Sequence, residues 1–390
     1  MSESKLTKKG YELESVFVVQ AEISTIAHRA ECDPMITLCG RRVYPVIVAP
    51  MGSVTDENNY KIWLENNFIC VVPRTVDFEK RIEISKETFA SFSLTEAQSL
   101  AGRALVAGPD GVKNKRYVCI DIAHGTMSEL YATCDMLREA FGDKIEIMTG
   151  NVANPKAYKY YSQHKIDYMR AGIGGGSRCT TRCNVGVGYP MASLIDELRM
   201  EQEDMCEWAS EWKTNIIPDG GISNFDDIQK CICLGAFGVM SGKVFAQAKE
   251  ACEEIVFLHP DNLNMADAIP AEEYYDKLEE LKEKSEKFGG DERFNTYWDS
   301  YRRLSLRKPY RLYYGMSTKM AQKLTGGSGN TTAEGIAKPI LVEYPIAKWA
   351  DNMAAYMRSC MSYTGCRTIE ELRENTELII NESSDRSFRK

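Results

Sequence analysis

A glycine-rich stretch near the middle of the chain contains the residues best suited to covalent chemistry. It reads AGIGGGSRCTTRCNVGVGYP over residues 171–190, and Cys179 follows its glycines with Arg178 and Arg182 on either side. A neighbouring positive charge raises the thiolate fraction of a cysteine, and the thiolate is the reactive form. We therefore expect Cys179 to act as a nucleophile. The alternative is a small buried side chain, which is the commoner role of an isolated cysteine.

Glycine and small polar residues also recur after short apolar runs elsewhere in the chain. They occur at Met51-Gly52-Ser53, Asp121–Gly125, Gly150-Asn151, Gly172–Ser177, Asp219-Gly220-Gly221 and Ser241-Gly242. Glycine at such positions lets main-chain amides approach a ligand closely. In a barrel of parallel strands all of these ends open onto one face, which is where active sites lie. The simpler alternative is that each one is only a tight βα turn.

The elements that must position these residues alternate between short apolar runs and longer segments of helical period. The predicted strands cover residues 43–50, 68–74, 89–94, 117–123, 144–151, 167–173, 215–222 and 237–242. Strands that alternate with helices favour parallel pairing, and eight is the number that closes a TIM barrel. We therefore predict an α/β fold of the (β/α)8 type. A doubly wound open sheet is the alternative, but residues 49–54 lack the G-x-G-x-x-G turn typical of that fold.

The rest of the chain adds an insertion and a flap to this barrel. We predict one catalytic domain over residues 1–390, with the barrel over about 40–250, an insertion over 253–307, a flap region over 310–345 and C-terminal helices over 346–380. The insertion contains a charged helical portion at 271–290, which we interpret as a solvated helix or, alternatively, as a lid or subunit contact. Residues 322–333 are rich in Gly, Ser and Thr, a composition typical of a mobile flap.

The overall composition excludes several classes of protein. Forty-eight basic residues against 56 acidic ones give the 390-residue chain a net charge of −8. This balance argues against a general nucleic-acid or anionic-membrane surface, because both need a broad basic face. The apolar runs are too short to span a membrane, and the 13 cysteines are scattered as in proteins of a reducing compartment. We therefore expect a cytoplasmic protein that binds neither nucleic acid nor membranes.

Ordered motifs over most of the chain resemble one family, the IMP dehydrogenases and GMP reductases. The stretch GIGGGSRCTTRCNVGVGYP (172–190) resembles their catalytic loop, and DIAHG (121–125) resembles the strand end that faces the cofactor. The segment IIPDGGISNFDDIQKCICLGAFGVMSGKVFA (216–246) resembles their pair of phosphate-binding loops. YRLYYGMSTKMAQK (310–323) and AEGIAKPI (333–340) resemble the segments that lead into and out of the flap.

This resemblance implies a barrel that holds a purine ribonucleoside monophosphate with C2 of the purine over Cys179. The thiolate would add to C2 and form a covalent intermediate, and a nicotinamide cofactor would give or take a hydride. Asp219 would bind the ribose hydroxyls, and Lys243, which replaces a common glycine, would add charge beside the phosphate. The implied substrate-binding residues are Met51, Ser177, Asp219, Gly220, Gly221, Gly242, Lys243, Tyr313, Gly315, Met316, Ser317 and Gly335.

The resemblance also implies sites for a cofactor and for a monovalent cation. The implied cofactor-binding residues are Asp121, Ile122, Ala123, Asn151 and Gly172. The implied potassium site, which would stiffen the cysteine loop, consists of Gly174, Gly176, Cys179 and Arg182. Family members are usually tetramers, so the expected partners are a purine nucleotide and further copies of this chain.

The flap distinguishes the two activities of the family. Dehydrogenases carry a longer flap with an Arg-Tyr pair that activates water, whereas residues 324–332 contain neither residue type. The short flap and the run Cys179-Thr180-Thr181 resemble the reductases, which implies NADPH-dependent conversion of GMP to IMP and ammonia. Thr181 and Glu334 would then handle the proton that the 2-amino group needs before it leaves. The regulatory domain of many dehydrogenases has no room between the second and fourth strands.

Several residues depart from the family pattern. Gly52 replaces an aspartate, Pro73-Arg74-Thr75 replaces a His-Lys-like strand end, and Gly175 replaces a proline. These changes concern the cofactor and the purine more than the covalent chemistry. The alternatives are therefore a dehydrogenase without the regulatory domain, or a reductase for a deoxy- or modified guanine nucleotide. A purine-nucleotide-binding protein without turnover is the non-enzymatic alternative.

Overall fold

Eight short parallel strands form the centre of the structure, a computed structural model that describes residues 9–176, 179, 181–209, 212–288, 292–325 and 335–381. The strands are β1 (Val46–Val48), β2 (Val71–Val72), β3 (Phe89–Phe92), β4 (Arg116–Asp121), β5 (Ile145–Val152), β6 (Tyr168–Ala171), β7 (Asn215–Pro218) and β8 (Val239–Ser241). Each one lies within or overlaps one of the eight predicted runs.

The strands close into a barrel. A continuous parallel ladder joins β2 to β7 in chain order, and β8 pairs in parallel with β1. Single parallel bridges from Val48 to Cys70 and from Asp219 to Met240 join β1 to β2 and β7 to β8. The order around the ring is therefore the order along the chain, which confirms the predicted (β/α)8 fold and excludes a doubly wound open sheet.

Helices follow the strands and continue beyond the barrel. They are α1 (Tyr60–Glu65), α2 (Phe78–Ile84), α3 (Leu94–Gly111), α4 (Ser128–Phe141), α5 (Tyr158–Gln163), α6 (Thr181–Val185), α7 (Met191–Ala209), α8 (Phe225–Cys233), α9 (Lys243–Ala246), α10 (Ala271–Lys287), α11 (Glu292–Ser305), α12 (Lys319–Leu324), α13 (Ile346–Thr364) and α14 (Ile369–Asn375). Within the described ranges, none of them combines the length and the apolar character needed to cross a membrane.

Further strands lie outside the barrel. Val16–Val18 pairs with Leu378–Ile380, and Ile36–Leu38 pairs with Arg41–Val43, both antiparallel. A separate antiparallel sheet, here called the outer sheet, contains in order the strands Ile269–Pro270, Val256–Leu258, Lys308–Tyr313 and Lys338–Leu341. The insertion therefore contains the predicted charged helix, α10, together with strands and a second helix that the sequence analysis did not predict. The C-terminal region, predicted as helices alone, ends in a strand.

Packing on both faces of the barrel wall explains why its strands are apolar. β1 is fully buried along its length, as expected for a parallel strand that is covered on both sides. Phe68, which precedes β2, lies at the centre of an aromatic cluster: its ring centroid is 5.2 Å from that of Phe245 and 6.2 Å from that of Trp349 in α13. This cluster ties helix α13 to the barrel.

Phe68→Ala should lower the free energy of unfolding by about 3–5 kcal/mol, because it removes a fully buried ring and leaves a cavity. Urea denaturation followed by circular dichroism measures this loss. Val106→Ala is the control, since the Val106 side chain is 91% exposed and should change stability by about 0.5 kcal/mol or less. Equal effects of the two substitutions would contradict the assigned packing.

Candidate active site

A cavity of about 840 Å³ lies at the carboxyl ends of the barrel strands. Most of the predicted site residues line it, although they come from seven separate stretches of the chain. The lining includes Met51, Asp121, Ile122, Ala123, Asn151, Gly172, Gly174, Gly176, Cys179, Thr181, Asp219, Gly220, Gly221, Gly242, Lys243, Tyr313, Gly315, Met316 and Ser317. The strand ends predicted to open onto one face therefore do converge.

Four predicted site residues are not among those that line the cavity. Ser177 and Glu334 lie outside the described residues, as does most of the predicted flap. Gly335 forms an antiparallel bridge with Cys179, so the chain that returns from the flap runs beside the cysteine loop. Arg182 does not line the cavity.

The Cys179 thiol is half-buried on the cavity wall. Its Sγ lies 3.2 Å from Oγ1 of Thr181, which is the first residue of α6. The main-chain N–H of Cys179 donates to the carbonyl of Gly176 at 2.9 Å, which turns the chain back towards the glycines. The Cys179 sulfur thus lies beside a hydroxyl group that can exchange a proton with a neighbouring group.

The guanidinium of Arg182 has partners outside the cavity lining. Its guanidinium donates to the Glu12 carboxylate at 2.8 Å and to the carbonyl of Tyr189 at 2.9 Å. The charge of Arg182 is therefore paired with the carboxylate of Glu12. Arg178 lies outside the described residues.

Close backbone packing holds the cysteine loop against the loop that follows β7. A Cβ atom on Gly175 would lie 2.9 Å from the carbonyl oxygen of Gly220, and one on Gly220 would lie 2.9 Å from the N atom of Gly176. Gly220 also has φ of +104°, which strongly favours glycine. Glycine in place of the family's usual proline at 175 is therefore consistent with an unusually close approach of the two loops.

A buried guanidinium links two of the predicted site carboxylates. Arg170, in β6, donates from Nη1 to Oδ1 of Asp121 at 2.5 Å and from Nη2 to Oδ2 of Asp219 at 2.8 Å. The side-chain amide of Asn151 donates to the same Oδ2 at 2.9 Å. Sequence reasoning missed Arg170, although an arginine inside the apolar run DYMRAGI was a usable signal.

These contacts keep the Arg170 guanidinium charged and fix its orientation. Burial lowers the pKa of Arg170, but Asp121 and Asp219 raise it by more, so the net pKa lies well above the ordinary value. Burial also raises the pKa of the neighbouring Cys119 thiol to about 12, which keeps that cysteine protonated. Among the described residues no protein group donates to Oδ1 of Asp219, which leaves this oxygen for a ligand hydroxyl.

The opposite wall is formed by the ends of β1 and β8 and by the outer sheet. A Cβ atom on Gly242 would overlap Sδ of Met51 and lie 2.8 Å from the Tyr313 hydroxyl, so a larger residue there would have to displace these side chains. A Cβ atom on Gly52 would lie 3.1 Å from Oγ1 of Thr75. Thr75, which lies three residues beyond β2, therefore crowds the space beside position 52, and a side chain there would require a small shift of Thr75.

Two cationic side chains also line the cavity. Lys243 follows Gly242 directly, and Arg74 lies at the end of β2. The Nε atom of Arg74 is buried and has no hydrogen-bond partner among the described residues. Since Arg170 already pairs with both carboxylates, these two additional charges make the cavity suitable for an anionic ligand.

The residues predicted to hold a nicotinamide cofactor fit such a group. Asp121, Ile122 and Ala123 come from the end of β4, and Asn151 comes from β5, next to it in the barrel. The cavity volume lies near the top of the range of about 300–1,000 Å³ that is typical of ligand pockets. A nucleotide and a nicotinamide ring can therefore share this space.

Comparison with known proteins identifies the same family that the sequence motifs resemble. Residues 10–267 match the family model described as IMP dehydrogenase / GMP reductase domain. The chain is 27% identical over 341 residues to a GMP reductase of Buchnera aphidicola subsp. Baizongia pistaciae, covering 86% of this chain and 77% of the relative. A GMP reductase of Oceanobacillus iheyensis is 29% identical over 264 residues, which is 63% of this chain and 73% of the relative.

Dehydrogenases are similar to this chain as well. The inosine-5'-monophosphate dehydrogenase of Chlorobaculum parvum is 27% identical over 262 residues, covering 67% of this chain but only 44% of the dehydrogenase. The family model covers well over half of the chain, and it includes the cysteine loop and both loops after β7 and β8. On these grounds the chain belongs to the IMP dehydrogenase / GMP reductase family of oxidoreductases.

Proposed function

We propose that this chain is a GMP reductase, which converts GMP and NADPH to IMP, ammonia and NADP through a covalent cysteine–purine intermediate. The observation that carries the proposal is the 3.2 Å contact between Sγ of Cys179 and Oγ1 of Thr181. This pair faces the same cavity as the ribose carboxylate and the phosphate-side glycines. The arrangement supplies a nucleophile and a proton relay at one end of a nucleotide-sized space.

The nucleotide would lie across the loops that follow β6, β7 and β8. Its phosphate would accept hydrogen bonds from the main chain of Gly220, Gly221 and Gly242, with the Lys243 ammonium as counter-charge. The free Oδ1 of Asp219 would accept from the ribose hydroxyls. The wall around the base and sugar would consist of Met51, Ser177, Tyr313, Gly315, Met316, Ser317 and Gly335.

The covalent step requires no base from outside the site. The Cys179 thiolate adds to C2 of the purine, and the S–C2 bond forms as the 2-amino group takes up a proton and leaves as ammonia. Thr181 and Glu334 would deliver that proton. The S–C2 bond breaks again when C2 receives a hydride, which gives IMP and returns the thiolate.

The cofactor half of the site would consist of Asp121, Ile122, Ala123, Asn151 and Gly172. A bound NADPH supplies the hydride for C2. The carbonyl-rich loop of Gly174, Gly176, Cys179 and Arg182 would hold a potassium ion that stiffens the cysteine loop. The family resemblance further supports a homotetramer in the cytoplasm.

The flap favours reduction over dehydrogenation. Hydrolysis of the covalent intermediate needs a group that activates water, and residues 324–332 contain neither the arginine nor the tyrosine that dehydrogenases use. Without that base, attack by water on the intermediate should be slow. Ammonia release would need only the residues named above, and hydride transfer would need in addition the bound NADPH.

The experiment that tests the proposed function follows the consumption of NADPH by absorbance with GMP as substrate. Parallel reactions contain dGMP, IMP with NAD, or no nucleotide. GMP-dependent oxidation of NADPH with release of ammonia is the expected result. Activity with IMP and NAD alone would instead identify a dehydrogenase with a substitute base. Inactivity throughout, with no mass adduct on Cys179 from a 2-halogenated purine nucleotide, would indicate a binding protein.

Cys179→Ala should abolish turnover while GMP still binds, because the covalent route is lost but the phosphate and ribose contacts remain. Steady-state kinetics and a GMP titration measure the two effects. Cys183→Ala is the matched control, since Cys183 is an exposed thiol in the same short helix, α6. Residual activity of Cys179→Ala above a few per cent would contradict covalent catalysis.

Asp219→Ala should weaken GMP by about tenfold or more and dGMP far less, because the deoxynucleotide lacks one of the hydroxyls that the carboxylate would bind. The ratio of kcat/KM for the two nucleotides reports this difference. Equal losses for both would show that Asp219 does not recognise the ribose.

A further inference from the structure

We infer that Arg170 is a positioning residue that holds the nucleotide half and the cofactor half of the site in register. It touches neither ligand in this assignment, and it acts through the two carboxylates that would. The inference rests on the proposed function, because that proposal assigns Asp219 to the nucleotide and Asp121 to the cofactor.

The geometry is that of a two-pronged fork. Nη1 of Arg170 donates to Asp121 at 2.5 Å, and Nη2 donates to Asp219 at 2.8 Å. Asp121 is the last residue of β4, and Asp219 directly follows β7, so the guanidinium joins two distant strand ends across the barrel mouth. Its planar shape fixes the two carboxylates relative to each other, which two separate lysines could not do.

Burial makes this connection matter. The side chain of Arg170 is 6% exposed, and those of Asp121 and Asp219 are 12% and 16% exposed. Two shielded carboxylates without the guanidinium would repel each other and would lose the contacts that orient them. Water can replace those contacts only in part at this depth, so the orientation of both acids depends on one side chain.

The bond from Arg170 also decides which oxygen a ligand meets. Oδ2 of Asp219 accepts from Arg170 and from Asn151, at 2.8 and 2.9 Å. The other oxygen, Oδ1, then faces a ligand without a competing donor among the described residues. Loss of the fork would let the carboxylate rotate, and recognition of the ribose hydroxyls would weaken.

A second ion pair shows what a merely structural arginine looks like in the same barrel. Arg138 pairs with Asp167 at 2.8 Å, and both side chains are 13% exposed. Asp167 directly precedes β6, at the end of the strand opposite the cavity, and Arg138 also donates to main-chain carbonyls of Lys165 and Ile145. Arg170 donates instead to two carboxylates that both line the cavity.

The test compares ligand binding by Arg170→Lys and by the wild-type protein. Calorimetric titrations with GMP, dGMP and NADP need no turnover, so they separate binding from chemistry. A lysine keeps the charge but cannot reach both carboxylates in the fork geometry. We expect GMP and NADP each to bind about tenfold more weakly, and the preference for GMP over dGMP to fall towards unity.

Variants of each carboxylate alone show which ligand depends on which acid. Asp219→Asn should weaken GMP and leave NADP unchanged within about twofold, and Asp121→Asn should do the reverse. Only a change at Arg170 should weaken both ligands together. Arg170→Gln, which keeps a donor but no charge, should give the same pattern and serves if the lysine variant does not fold.

Arg138→Lys is the matched control, because it weakens a comparable buried ion pair away from the cavity. It should lower the thermal midpoint as Arg170→Lys does, yet leave all three affinities within about twofold. The inference is overturned if a folded Arg170 variant keeps both affinities and the preference for GMP, or if it loses only one ligand. Wild-type protein that binds neither GMP nor NADP would overturn the proposed function and this inference together.

Discussion

The position of the Cys179 thiol depends on how closely two stretches of main chain can approach each other. The loop after β6 carries Cys179, and main-chain atoms of its glycines lie against the loop after β7. A Cβ atom on Gly172 would lie 2.6 Å from the carbonyl oxygen of Asp219, and one on Gly175 would lie 2.9 Å from the carbonyl oxygen of Gly220. The Cys179 thiol and the Asp219 carboxylate therefore lie on two loops that are in backbone contact, so a shift of either loop would move both.

Much of the barrel could be predicted from the sequence because its information is local. A strand covered on both faces is a short apolar run, and the helix that follows it has its own period. The ends were less predictable: residues 68–74 form one apolar run, but only Val71–Val72 belongs to the ladder as a strand. The outer sheet was missed since Val256–Leu258 pairs with Lys308–Tyr313 across a long insertion, and no local pattern records such a pairing.

In the candidate site, residue types could be predicted from the sequence, but the partners of the side chains could not. Many of the strand-end residues that the sequence indicated line the cavity, whereas Gly52, Ser53 and Gly125 do not. The partner of Arg182 could not be read from the sequence, because Glu12 lies 170 positions away. Arg170 was overlooked for a related reason, since a residue within a buried strand is expected to pack rather than to join two carboxylates. Spacing along the chain predicts which backbone positions converge, and side-chain partners depend on the assembled barrel.

The outer sheet has a consequence for how this chain could change over evolutionary time. The hairpin of α10 and α11 leaves the sheet at Ile269–Pro270 and returns to it at Lys308–Tyr313. Both points of attachment are fixed by neighbouring strands, and the entropy of closing the intervening loop grows only with the logarithm of its length. Lineages could thus lengthen, shorten or exchange the hairpin while Tyr313 keeps its place in the cavity wall. The sheet makes the insertion a replaceable module.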